Sequence, residues 1–180
     1  MKKNELGRSY FFCSLTAILP GREQELRDYL ESLPVGGESP LARVGVVHFG
    51  RWVIISRLVY LGPPSEPDDL RNEYLLFAVE VDGPLEGFLD LLRERMAEEA
   101  DLVWGHCVGY PGSGDRETFH RYLRHNQIDV QLAFAAYPEA TLPEVLEALD
   151  LRRRLIELAV RAQDLDPAGL QGAYRQAFAG

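Results

Sequence analysis

Cysteine is nearly absent from this chain of 180 residues: Cys13 lies inside an apolar run and Cys107 follows His106. Two such thiols make neither a disulfide framework nor a zinc-ligand spacing, which excludes the disulfide-stapled and zinc-finger classes and fits a reducing cytoplasm. Lysine is equally scarce. Lys2 and Lys3 are the only lysines among 19 basic residues, an arginine bias read as coding composition, and 28 acids leave a net charge of −9. With a pI near 5.0 the field repels phosphate backbones and anionic lipid surfaces, so neither nucleic acid nor membrane is expected as a partner. No run approaches the ~20 apolar residues of a membrane span. Lys2 and Lys3 before the apolar stretch Tyr10–Leu19 imitate a signal peptide, but Glu5 and Arg8 interrupt the approach and Pro20-Gly21 ends the run without a small-residue cleavage site. Phosphate loops, dinucleotide fingerprints, nucleophile elbows and metal spacings are also missing.

What is present is an ordinary globular composition, 46% apolar and 26% charged, on a chain long enough for one domain with an extension. The longest β-branched run, Val44–Tyr60 (VGVVHFGRWVIISRLVY), reads as a central strand with His48, Arg51 and Arg57 set into it. Before it come a strand at Tyr10–Leu19, a helix at Arg22–Leu33 and a loop at 34–40. After it, Leu61–Asp68 is a proline-rich turn, Glu73–Val81 a strand, and Leu85–Ala100 one amphipathic helix with Leu85, Phe88, Leu89, Leu92 and Met96 on its stripe. Asp101–Gly114 holds a brief strand or an irregular loop, and Asp115–Ile128 a helix. Val130–Tyr137 (VQLAFAAY) reads as a fourth long strand. Leu142–Gln163 is a long helix that Thr141 can cap, and Pro167–Phe178 adds a helix or frays.

Without residues 101–128, treated as an insertion, the order is βαββαβ, an α+β, ferredoxin-like antiparallel sheet with helices on one face. Residues 1–140 form this domain and 141–180 a C-terminal helical extension packed on it. Strands with apolar residues on both faces call for cover on the second face, from the terminal helix or from another subunit.

The element order over residues 10–137 resembles the dimeric α+β barrel superfamily, which includes cofactor-free monooxygenases and the haem-binding chlorite dismutase and dye-decolourising peroxidase families. The strings HFGRWVII, LLFAVEVDG and HCVGYPG are similar to those of bacterial proteins related to haem-peroxidase systems. The resemblance implies a homodimer, a small-molecule ligand and haem as a candidate cofactor. No haem-ligand motif matches residue by residue, so no axial ligand follows.

His48 and Arg51 stand three apart, which on an unbroken strand sends them to opposite faces; a bulge at Gly50 would bring them together. They then form a pocket for a carboxylate, an enolate or peroxide. In the other reading His48 is a hydrogen-bonded strand histidine and Arg51 pairs with an acid such as Glu80. His106, Cys107 and Tyr110 lie in a glycine-rich stretch that either rims a pocket or simply packs. Glu80 and Asp82 alternate onto one face, while Arg116, His120 and Arg124 share a helical stripe that reads as a solvated face. Arg152, Arg153 and Arg154 fan around their helix toward Glu147, Asp150 and Glu157.

The sequence-based expectation is a cytoplasmic, homodimeric protein that binds a small molecule or haem and is an oxidoreductase if an enzyme. Its candidate catalytic residues are His48, Arg51 and His106, its candidate substrate-binding residues Trp52, Arg57, Glu80 and Tyr110. A non-catalytic binding or interaction module is the alternative, and redox chemistry through Cys107 ranks third.

Overall fold

Alternating apolar residues build the sheet. In β2 (Ser9–Ala17) Tyr10, Phe12, Ser14 and Thr16 are buried while Phe11, Cys13, Leu15 and Ala17 are half-buried. β4 (Asp69–Asp82) repeats the pattern, with Leu75, Phe77, Val79 and Val81 buried and Leu76, Ala78 and Glu80 half-buried. A period of two with both sets partly apolar defines a sheet with one finished face and one unfinished face. β3 (Val47–Arg57) pairs antiparallel with β4, and a two-residue β1 (Glu5–Leu6) pairs with β2, so the four-stranded antiparallel sheet runs β1-β2-β4-β3. The computed structural model describes residues 4–57, 62–63 and 69–178. The distal end of the long run, at 58–60, and most of the proline-rich turn at 61–68 lie outside the described residues.

Helices cover the finished face. α1 (Glu23–Ser32) carries Glu23 and Glu25 in its first turn, where the helix dipole favours negative charge, and buries Leu26. α2 (Pro40–Val44) is short; the Ser39 hydroxyl accepts from Leu41 N–H, Pro40 opens the helix and Gly45 ends it at φ 79°. The helix read at Leu85–Ala100 is two, α3 (Leu85–Arg95) and α4 (Ala97–Trp104), because Met96 leaves the helical region at φ −137° while its side chain stays buried. α5 (Arg116–His125) is capped by Asp115, which accepts from Thr118 N–H at 2.9 Å, and it buries Phe119, Tyr122 and Leu123. The stretch read as an insertion therefore contributes to the core. Trp52 stacks on Phe77 (5.0 Å between centroids), and Trp104 meets Phe77 edge-on at 5.2 Å.

The strand read at Val130–Tyr137 does not form. Its residues are irregular, and Leu132 and Phe134 are 89% and 81% exposed. The edge of β2 is already occupied. Asn4 accepts from Phe11 N–H, Asn126 from Leu15 N–H, and Cys13 from Ile128 N–H, with an isolated bridge between Ser14 and Gln127. Residues 126–128 take the edge that 130–137 was expected to fill.

The chain divides into two compact units, Met1–Glu139 and Ala140–Gly180. In the second, α6 (Leu142–Ala162) begins with the Glu144 carboxylate accepting from both the N–H and the hydroxyl of Thr141. It pairs with α7 (Pro167–Phe178), whose end Arg154 holds by donating to Ala177 O and lying over the Phe178 ring. Arg153 reaches Asp150 and Glu157, and Arg154 reaches Asp150, as the helical spacing requires. Among the described residues, no helix is long and apolar enough to cross a membrane.

Candidate functional site

The unfinished face is a grid fixed by strand register. Phe11, Glu80 and Phe49 form one row, Cys13, Ala78 and Arg51 the next, then Leu15, Leu76 and Val53, and last Ala17, Tyr74 and Ile55. Ala78 is the small residue between two longer neighbours, and it leaves a depression. A hollow of about 530 Å³ sits over it, lined by Phe11, Cys13, Phe49, Arg51, Glu80 and Val130 among others. That size is within the range of small-molecule sites, and its walls are mainly apolar with few polar groups, as such sites are.

Arg51 is the principal charge there. Its guanidinium makes no hydrogen bond or ion pair with any described residue, and neither does the Glu80 carboxylate. Arg51 is exposed and lines the hollow. Burial pushes the Cys13 thiol above its ordinary pKa, and the positive charge of Arg51 pulls it back. Two strand spacings, about 10 Å, separate their backbones on one row, and both residues line the hollow.

The register shift in β3 lies between Val47 and Phe49, which makes His48 the extra residue and places the bulge two positions before Gly50. Gly50 serves a different end. A Cβ there would meet Leu41 Cδ1 at 2.6 Å and Val79 Cγ1 at 3.0 Å, so its bareness lets α2 approach the strand. His48 joins the unfinished face and its Nε2 lies 2.7 Å from Asp82 Oδ1, both side chains being largely buried. Asp82 and Ala78 are four residues apart on β4, about 13 Å. His48 and Arg51 thus share a face without sharing a spot.

The remaining candidates lie elsewhere. Trp52 points to the finished face, one residue out of phase with Arg51, and packs in the core. Arg57 is at the exposed end of β3, opposite Asp69 and engaged. His106 follows α4; its Nδ1 lies 2.7 Å from Leu102 O and its Nε2 3.6 Å from Glu25. Tyr110 donates to Asp101, which also accepts from the N–H and hydroxyl of Ser113, and packs edge-on against Phe119 and Tyr122. Burial and the adjacent Asp101 carboxylate push the Tyr110 phenol far up. Cys107 receives a hydrogen bond from Thr16 and is pushed up to about 11 by burial, a poor nucleophile at neutral pH.

The stripe Arg116, His120, Arg124 is solvated only at its ends. His120 is fully buried, with Nδ1 3.1 Å from Glu86 and Nε2 3.1 Å from Asp90, while Arg116 grips Asp90 through two bonds and Arg124 meets Glu86 at 2.9 Å. The i, i+4 acids of α3 against the i, i+4, i+8 cations of α5 were the available signal. No group of three or more His, Cys, Asp or Glu among the described residues could hold a metal ion. Cys13, Phe11, Phe49 and Ala78 were not singled out by sequence, although the alternation of LLFAVEVD already places Ala78 and Glu80 on one face.

Comparison with protein-family models, with curated proteins and with solved structures finds no match for this chain. Its function therefore rests on geometry.

Proposed function

We propose that this chain binds a small organic molecule in the hollow over Ala78, and that it does so as a homodimer whose copies lay their unfinished sheet faces together. The observation that carries this reading is Arg51, without an ion pair or hydrogen bond among the described residues, lining an apolar depression of about 530 Å³ on a sheet face that the core leaves half-open. The sheet is, in this reading, ferredoxin-like: β2, β3 and β4 take the first three strand positions, and Asn126–Ile128 stands where the fourth belongs. Burying the rows Leu15-Leu76-Val53 and Ala17-Tyr74-Ile55 against a second copy supplies the missing cover. A reducing cytoplasm accords with the free Cys13 and Cys107.

Haem ligated by histidine does not fit the hollow. His48 faces Asp82, His106 faces Leu102 and Glu25, His120 is enclosed by Glu86 and Asp90, His125 is exposed at the end of α5, and none of the four lines it. Oxidoreduction of the bound molecule without haem is the second reading, favoured by the His48–Asp82 pair, a proton-handling group on the ligand's side of the sheet.

Light scattering during size-exclusion chromatography tests the assembly. The native chain should elute as a dimer and Leu76→Glu as a folded monomer; a monomeric native chain at micromolar concentration sinks the dimer. Haem titration tests the cofactor: absorption should show no saturable Soret band, and a band lost in His48→Ala would overturn the assignment.

A further inference from the structure

We infer that the ligand is a small organic monocarboxylate with a flat apolar body and a hydrogen-bond donor at its far end. This rests on the hollow being a ligand site and names the chemistry it selects. Arg51 and Glu80 occupy adjacent rows as diagonal cross-strand neighbours, a separation of roughly 7 Å between backbones. Opposite charges that close usually meet, yet neither side chain makes an ion pair or hydrogen bond with any described residue. Each is left to a third party.

A guanidinium presents parallel N–H donors that match the two oxygens of a carboxylate better than any single acceptor. Glu80, an acceptor, takes an O–H or N–H and repels a second anion. Phe11 and Phe49 flank Glu80 in its row, and Phe49 is 76% exposed, so a broad ring face is open to stacking. Ala78 keeps the floor low enough for a ring to lie between the two polar groups. The Cys13 thiol, held neutral by burial, adds no competing anion for Arg51. The arrangement selects one end by charge, the other by donor, and the middle by shape.

Calorimetric and amide-shift titrations of the full-length protein with 4-hydroxybenzoate, benzoate, 4-hydroxybenzamide and terephthalate provide the test. 4-Hydroxybenzoate should bind tightest, and the neutral amide about tenfold or more weaker, the worth of a charge-assisted bidentate contact. Arg51→Gln should erase the preference of acid over amide, with Arg51→Lys intermediate, and Glu80→Gln should raise the affinity for terephthalate. Shifts should centre on Phe49, Arg51, Ala78 and Glu80. Equal affinities for acid and amide, an unchanged Arg51→Gln, or no saturable binding of any probe overturns the ligand class. The dimer is judged separately. A dimer that binds no acid loses only the ligand class, whereas a monomer that binds acids through Arg51 keeps it and loses the dimer.

Discussion

The two faces of one sheet are finished to different degrees. On the helix-covered side the buried histidine and the cations beside it have charged neighbours: His120 bonds Glu86 through Nδ1 and has Asp90 3.1 Å from Nε2, Arg116 meets Asp90, and Arg124 meets Glu86. On the other side Arg51 and Glu80, one row apart, have no ion pair or hydrogen bond among the described residues, and the apolar residues around them remain half-exposed. Strands and register are shared, while the side chains and what lies over them differ from face to face. A sheet face that buries Phe12, Phe77 and Val81 under helices is spent on stability; one whose apolar hollow holds a cation and a carboxylate unpaired among the described residues is open to partners.

The largest effect should come from breaking the finished face. Phe77 has no exposure and touches Phe12, Trp52 and Trp104, so Phe77→Ala should cost about 3–5 kcal/mol in urea unfolding. Its neighbour Leu76 faces the other way and is half-buried; in the monomeric form Leu76→Ala should cost about 1 kcal/mol. Equal losses would erase the asymmetry.

Next comes the polar seam between α3 and α5. His120→Ala removes a fully buried ring between two half-exposed carboxylates and should cost about 2 kcal/mol. The seam also has a pH signature. The hydrogen bond from Arg116 holds the Asp90 carboxyl below its ordinary value, and the Thr118 N–H does the same for Asp115. A carboxyl lowered by folding contributes stability above its unfolded pKa, near 3.9, and loses it as pH falls through the lower folded value. Urea midpoints should therefore drop below about pH 4, with a shallower drop in Asp90→Asn; an unchanged slope in that variant would remove Asp90 from the account.

Much of this was legible in the residues, and the failures have physical causes. Alternation gave β2, β3 and β4, and placed Glu80 and Asp82 on one face. The same alternation sets Trp52 opposite Arg51, which is why it ended in the core rather than with the ligand. VQLAFAAY has strand-forming residues, but a strand exists only where an edge is free, and Asn4 with Asn126–Ile128 had taken that of β2. The break at Met96 carries no proline or glycine to announce it. The bulge fell at His48 because Gly50 was needed against Leu41, a contact between residues nine apart that no period reveals. His120 looked solvated because a helical stripe says which residues align, never what faces them.

The smallest effect compares the two thiols, one on each face. Cys107 is buried with Thr16 donating to it, and pushed up to about 11 by burial it is neutral at assay pH; roughly one molecule in a thousand is thiolate at pH 8. Cys13, half-buried on the unfinished face, is raised by burial too, but the Arg51 charge opposes the rise. An aromatic disulfide reagent at pH 8 should therefore modify Cys13 first and reach Cys107 only on unfolding. Arg51→Gln should slow Cys13 several-fold, since it removes the positive charge that opposes the rise of the thiol. Saturating 4-hydroxybenzoate should protect Cys13, because the bound acid covers it and takes up the charge of Arg51, and should leave Cys107 unaffected. Equal rates for the two thiols in the folded protein would show that the helix-covered face is open as well, and the contrast between the faces would have to be abandoned.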